Sequence, residues 1–244
     1  MKSFVFASDL HGDQQDPHAV AKLYDFCEIF KPQVKVFGGD LFDFRNIRSN
    51  AGAGEKGASM AADVEAGLEF LKRFKPNVWL LGNHDKRLWD VAEYDRFGII
   101  QDYAKQGIKD IVARCRANNC KMIPYAADTG FYDLGKVRML HGYASGLYAT
   151  KKHAEIYSPE GGIVLHGHTH TVQHFVIQRA NGGQGRAVGC LANLDMGYNK
   201  AQPSRIAHGH GFAYGYADAK GFEVYQAKPT KGDKWRIIEK TREI

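Results

Sequence analysis

Five short segments place cation-binding and proton-moving side chains next to one another. They are Asp9 and His11 in "SDLHG", Asp40 and Asp43 in "GGDLFD", Asn83, His84 and Asp85 in "GNHDKR", His141 in "LHG", and His168 and His170 in "LHGHTH". Carboxylates, an amide carbonyl and neutral imidazoles suit first-row divalent metals such as Mn, Fe, Ni, Co or Zn. Grouped without a cation, they would cost on the order of several kcal/mol in desolvation and repulsion. Two cations that share one carboxylate form the clamp that acts on phosphate esters.

These residues need elements to carry them. "SFVFAS" reads as a buried strand ending at Asp9, "QVKVFGG" as a second ending at Asp40, and "NVWLLG" as a third ending at Asn83. Between them, 17–30 and 60–74 repeat apolar residues at helical spacing, through Ala19, Val20, Leu23, Phe26, Cys27 and Phe30, and through Met60, Val64, Leu68, Leu71 and Phe74. Strand–helix–strand–helix–strand implies crossover units and a parallel sheet. The glycine-rich stretch 50–59 is expected to be a mobile loop, and 86–118 to be largely helical. Beyond that come short strands in "KMIPY", "KVRML", "GIVLHG", "TVQHFVIQ", "GRAVGCL", "GFAYGYAD", "GFEVYQA" and "KWRIIE", interrupted by a helix over about 147–157. Ligands of open α/β sheets bind beyond the carboxyl ends of the strands, where all five segments lie.

The 244 residues suit one large domain or two small ones, with a formal charge of +6 that favours anionic partners such as phosphates or nucleic acid. Cys27, Cys115, Cys120 and Cys190 lack a zinc-knuckle spacing and are expected to be reduced thiols. Neither a cleavable leader nor a run able to span a bilayer is evident, so a cytoplasmic protein without membrane association is expected.

Asp9-Leu-His11, Gly39-Asp40, Gly82-Asn83-His84-Asp85, His141-Gly142 and Gly167-His168-Thr169-His170, in this order, resemble the five blocks of the calcineurin-like metallophosphoesterase superfamily. The resemblance implies an α/β fold, a four-layer sandwich of two mixed β-sheets flanked by helices, here taken as a single domain over 1–244. It implies two divalent metal ions, manganese first, with Fe, Ni, Co or Zn as alternatives. Asp9, His11 and His170 would hold one, Asn83, His141 and His168 the other, and Asp40 would bridge them. A hydroxide between the ions would attack phosphorus in line. His84 would protonate the leaving oxygen, oriented by Asp43. The "GNHDKRL" run and the "GCLANLD" segment resemble small metallophosphoesterases of bacterial viruses and prophages. The expected reaction is hydrolysis of a nucleotide-type phosphodiester or phosphomonoester. A DNA or RNA nuclease and a catalytically silent metal-bound scaffold are the alternatives; composition does not speak to oligomeric state.

Other residues carry two readings each. Arg45 and Arg48 in "DFRNIR" could reach the substrate phosphate or lie on a solvated loop. Arg87 could contact phosphate or pair with Asp85, and Asp85 itself is expected to cap a helix beginning near Lys86. His166 reads as a satisfied core histidine. His208 and His210 in "AHGHG" read as substrate-loop or plain surface residues. Phe212, Tyr214 and Tyr216 alternate as one face of a strand, which favours core packing over base stacking, and "ATKKHAE" could flank the site and attract an anionic substrate but reads rather as a solvated helix face.

Overall fold

The computed structural model describes residues 1–94, 98–195, 206–231, 234, 235 and 237. In chain order the elements are β1 (Lys2–Ala7), α1 (Pro17–Phe30), β2 (Val34–Phe37), α2 (Ala53–Lys56), α3 (Met60–Phe74), β3 (Val78–Leu80), α4 (Asn83–Tyr94), α5 (Gly98–Ala117), β4 (Lys121–Ile123), β5 (Phe131–Leu134), β6 (Val137–Leu140), α6 (Ala149–Tyr157), β7 (Ile163–His166), β8 (Val172–Val176), β9 (Gln184–Val188), β10 (Phe212–Ala217) and β11 (Phe222–Ala227). One sheet runs β11-β10-β1-β2-β3-β4, the other β5-β6-β7-β9-β8. Strands β1 to β4 are parallel and β10 closes antiparallel onto β1; in the second sheet β6, β7 and β9 are parallel, with β5 and β8 antiparallel.

The strand period of two builds the layers. Val5 and Ala7 on β1 join Phe37 and Trp79 in a core that includes Leu23 and Phe26 of α1, Phe70, Leu71 and Phe74 of α3, and Ile111 of α5. Their neighbours Phe4 and Phe6 face the other way, into a second core with Val137, Met139, Ile163 and Leu165 of the second sheet. With α6 packed on the outside of β7, β8 and β9, the order is helices, sheet, sheet, helix. Both crossover helices begin at a side-chain cap: Asp16 accepts from Ala19 N–H at 2.8 Å and Ser59 from Ala62 N–H at 3.2 Å.

Three details differ from the sequence reading. The 50–59 stretch contains the helical turn α2, because Glu55 caps the Gly52 N–H at 2.8 Å and pairs with Arg48. "FYDL" forms β5, a hairpin with β6 that turns at Gly135, whose φ of +59° suits a residue without Cβ. Helix α4 begins at Asn83 itself, so ligand-type residues open a helix rather than precede one. Most of "KWRIIE" lies outside the described residues. The alternating Phe212 and Tyr214 are packed against Phe26, and Tyr216 lies beside Phe30.

Candidate metal centre

The strand ends reach a common point through unusual backbone. Asp9, His11, Asp40, His168 and His170 all have positive φ, between 50° and 65°. Each such residue costs about 1–2 kcal/mol, and is held there by its surroundings. Asp9 N–H donates to Gly39 O at 2.9 Å, and Leu10 and His11 both donate to Asp40 O at 3.0 Å, locking the β1 end to the β2 end. Two glycines allow the approach of the next segment: a Cβ on Gly82 would meet Asp40 Oδ1 at 2.1 Å, and one on Gly39 would meet His141 Nδ1 at 2.6 Å.

Three groups of side chains could each hold a cation: Asp9, His11 and His170; Asp40, His141 and His168; and His11, Asp40 and His84. In the first, His11 Nε2 lies 3.0 Å from His170 Nε2, which is 3.4 Å from Asp9 Oδ1. In the second, His141 Nε2 lies 3.4 Å from Asp40 Oδ2 and 3.0 Å from Asn83 Oδ1, adding the amide to the set. Asp40 Oδ2 is also 3.8 Å from His11 Nε2 and 3.9 Å from His84 Nε2, so one carboxylate faces all three groups.

The donor set fits divalent cations. Ligands of one ion at about 2.1 Å lie roughly 3 Å from one another, the spacing seen here. His141 Nδ1 donates to Gly38 O at 2.8 Å and His11 Nδ1 to Asp43 Oδ1 at 3.0 Å, which aims each Nε2 lone pair inward. Such outer partners commonly fix the tautomer of metal-binding histidines. Asp9 and Asp40 are 0% and 1% exposed, and the basic groups within ion-pair distance of them among the described residues are imidazoles.

Burial alone would raise the carboxyl pKa values of Asp9 and Asp40, but the neighbouring imidazoles outweigh it and hold both below the usual range. Burial opposes a charge on His141 too, yet Asp40 outweighs it and lifts this imidazole to about 9. Burial and the nearby His141 push His168 down to about 4. With the carboxylates ionised and His168 neutral, His141 carries the proton that a cation must displace at neutral pH. Manganese affinity is therefore expected to rise as pH is raised from 6 towards about 9, because a protonated ligand competes below its folded-state pKa. Titration calorimetry in buffers of different ionisation enthalpy should find proton release on binding; pH-independent affinity without release would contradict the assignment.

Asp43 is the hub behind the cluster. Its Oδ1 accepts from His11 Nδ1 at 3.0 Å and His84 Nδ1 at 2.8 Å, while Oδ2 accepts from Arg45 at 3.3 Å. Burial would raise its pKa, but the two histidine hydrogen bonds hold it far below the carboxylate range. Two residues without a sequence assignment hold it in place. Asp63 of α3 accepts from Asp43 N–H at 3.0 Å and Phe44 N–H at 2.6 Å; burial pushes its own pKa up to about 6. Asp13 accepts from both terminal nitrogens of Arg45 at 2.6 Å. Asp63 left one signal in the sequence: it lies on the buried stripe of α3 with Gly67, Phe70 and Phe74, where a carboxylate requires partners.

The arginines are engaged with protein groups. Arg45 binds Asp13 and Asp43, Arg48 binds Glu55 at 2.6 Å, and Arg87 donates to Asp43 O at 2.8 Å. A substrate phosphate must compete with Asp13 for Arg45 and with Glu55 for Arg48. Arg87 meets the Asp43 carbonyl, while Asp85 is fully buried and accepts from Gly82 N–H at 2.8 Å and Phe42 N–H at 3.0 Å. Asp85 thus ties the start of α4 to the loop after Asp40, from the third helical position rather than as the residue preceding the helix. Burial and the charge of Asp40 push it to about 8.

Of the remaining histidines, His166 is a satisfied core residue, bonded to Gly167 O at 2.9 Å and Thr150 Oγ1 at 3.2 Å. His153 is buried, and its Nε2 accepts from Tyr143 N–H at 2.8 Å, bracing the loop after His141. The neighbouring Lys151 and Lys152 are exposed. A cavity of about 700 Å³ between α3 and α5 is lined by Met60, Val64, Leu68, Leu88 and Tyr103, among others; none of the candidate ligands lines it. The four cysteines are free thiols, and no helix of the described residues is long and apolar enough to cross a membrane.

Residues 2–172 match the family model of calcineurin-like phosphoesterases. No curated protein matches the chain in sequence. Among solved structures, a single-residue variant of Vps29 from Entamoeba histolytica is similar at 11% identity, covering 96% of this chain and 97% of that one with a TM-score of 0.50. Vps29 from Chaetomium thermophilum follows at 8% identity, 97% and 95% coverage and a TM-score of 0.49. YfcE, a phosphoesterase from E. coli, is 16% identical over 92% of this chain and 97% of its own, with a TM-score of 0.41. The likeness to the amoebal protein shows a shared fold.

Proposed function

The chain belongs to the calcineurin-like phosphoesterase family, and on that premise we propose that it hydrolyses a phosphodiester or phosphomonoester of nucleotide type with the help of two divalent cations. The observation that carries this reading is the sharing of Asp40 between groups of ligand-type side chains, with His84 and its partner Asp43 alongside. Asp9, His11 and His170 would hold one cation, and Asn83, His141 and His168 the other, with Asp40 between. Bound there, the cations would supply an activated water and neutralise charge on the phosphoryl oxygens.

The chain's own groups supply the rest. Asp43 takes the Nδ1 side of His84, leaving Nε2 towards Asp40 Oδ2 at 3.9 Å, next to the place a phosphoryl group would occupy. A proton on Nε2 is then in position for the leaving oxygen. His84 N–H donates to Asp40 Oδ1 at 2.9 Å, which couples the acid to the carboxylate between the cations. The reading takes 1–244 as one domain, supported by β10 and β11 completing the sheet that β1 begins.

The test is a panel of p-nitrophenyl phosphate, bis(p-nitrophenyl) phosphate, thymidine 5′-monophosphate p-nitrophenyl ester and single- and double-stranded DNA, with manganese and with chelator. Turnover of at least one small ester that disappears with chelator is expected. Cleavage confined to polymer, with affinity falling steeply as salt rises, would favour the nuclease. Metal-loaded protein that turns over nothing on the panel would leave only the binding scaffold.

A further inference from the structure

The glycine after His141 leaves that ligand on pliable backbone. Gly142 has a φ of +129°, and a Cβ there would meet His168 Cβ at 2.9 Å, so the close approach of the two histidines requires glycine. Residues 145–148 beyond it are exposed and give the turn no support. Its restraint comes from elsewhere. Tyr125 O–H donates to Gly142 O at 2.9 Å, and Tyr143 O–H to Ala126 O at 2.7 Å, which hold one carbonyl and the tip of one long side chain. The main-chain donors go to His153, which "ATKKHAE" places among exposed lysines. Its Nε2 accepts from Tyr143 N–H at 2.8 Å and from Ala144 N–H at 3.3 Å.

The ring is set up to accept. Two N–H groups converge on Nε2, so that nitrogen carries the lone pair and Nδ1 the proton. His153 is 1% exposed, and burial pushes its pKa down to about 4 against the opposing pull of the Ala149 carbonyl, so the ring is neutral at neutral pH. Nδ1 has no well-formed hydrogen-bond partner. An apolar side chain on this buried face of α6 would avoid that loss, but it could not receive the two N–H groups. The ring also lies on that of His166 at 4.2 Å, two residues before His168, and Gly167 N–H donates to His141 O at 2.9 Å. His153 thus contacts both strand ends that lead into His141 and His168.

We infer that His153 is a positioning residue for one cation: braced on His166, it holds the turn that aims His141 at the ion shared with Asp40, Asn83 and His168. This rests on the two-cation reading above and adds a residue that lies outside the groups able to hold an ion among the described residues. The test titrates manganese into the full chain by calorimetry. It compares His153→Gln, whose amide reaches the place of Nε2, with His153→Asn, whose amide stops at the place of Nδ1. In His153→Asn, affinity for the ion beside His141 is expected to fall about 10- to 100-fold, and that for the ion of Asp9, His11 and His170 less than about twofold. His153→Gln should stay within about threefold of wild type. Two backgrounds tell the ions apart: the loss should persist in Asp9→Asn, which retains the ion beside His141, and disappear in Asn83→Ala, which retains the other. The manganese concentration that gives half-maximal ester turnover should shift by the same factor. A packing role alone would make the two amides alike. If the asparagine variant does not fold, His153→Leu takes its place with the same expectation. Equal weakening of both ions, no weakening, or a glutamine variant as weak as the asparagine one overturns the inference while leaving the phosphoesterase reading intact. Wild-type protein that binds no divalent cation and turns over no ester overturns both.

Discussion

Asp40→Asn is expected to retain the fold, lose the paired binding of cations and reduce phosphoester turnover by on the order of a thousandfold or more. Asp40 has a φ of 50°, a conformation that asparagine tolerates better than alanine, so the asparagine variant isolates the charge. The amide oxygen can still accept from His84 N–H, now at 2.9 Å from Asp40 Oδ1, which avoids leaving a buried donor without a partner. The other oxygen, which faces His141, His11 and His84 at 3.4, 3.8 and 3.9 Å, becomes an amide nitrogen and cannot sit between cations. Metal content by mass spectrometry, read with kcat/KM on the best ester, checks the prediction. Two tightly held ions and a wild-type rate in this variant would remove Asp40 from the centre of the mechanism.

His84→Ala should separate proton donation from cation binding. If the imidazole is a proton donor, the variant keeps both ions and loses about 10²- to 10⁴-fold on esters with alkoxide leaving groups. Esters of p-nitrophenol, which leave without a proton, should lose far less. A plot of log kcat against leaving-group pKa is thus expected to be steeper for the variant than for wild type. The competing outcome is specific: His84 also forms a ligand-type group with His11 and Asp40. Loss of one ion together with a uniform drop across all esters would make His84 a ligand instead.

Much of the fold was legible because its signals are local. The helices 17–30 and 60–74 have an apolar face, a capping side chain and no proline beyond the first position, so their bounds follow from neighbouring residues. The three parallel strands were legible from their apolar runs and from the polar residues that end them. β5 is not evident in the sequence because "FYDL" has one buried residue, so its hydrophobic pattern is faint and its pairing with β6 defines it. The turn at 53–56 was missed because glycine composition concealed the contacts of Glu55 with Gly52 and Arg48.

For the site, the sequence by itself determined which side chains have cation-binding chemistry and that each stands just past an apolar run, since both are properties of a few adjacent residues. Tertiary structure decided how they are supported. Arg45 stands two residues after Asp43 and was open to a substrate role, but Asp13, 32 positions away, takes its guanidinium. Asp63 secures Asp43 across 20 residues, and Asp85 secures Phe42 across 43. His208 reaches His170 only because residues 208–211 pair beside the 170–171 and 190 backbone. Each of these bonds depends on crossovers that bring distant carboxyl ends of strands to one rim, and a hydrogen bond is sensitive to tenths of an ångström. Residue type and spacing along a chain carry no such distance until the sheets are assembled.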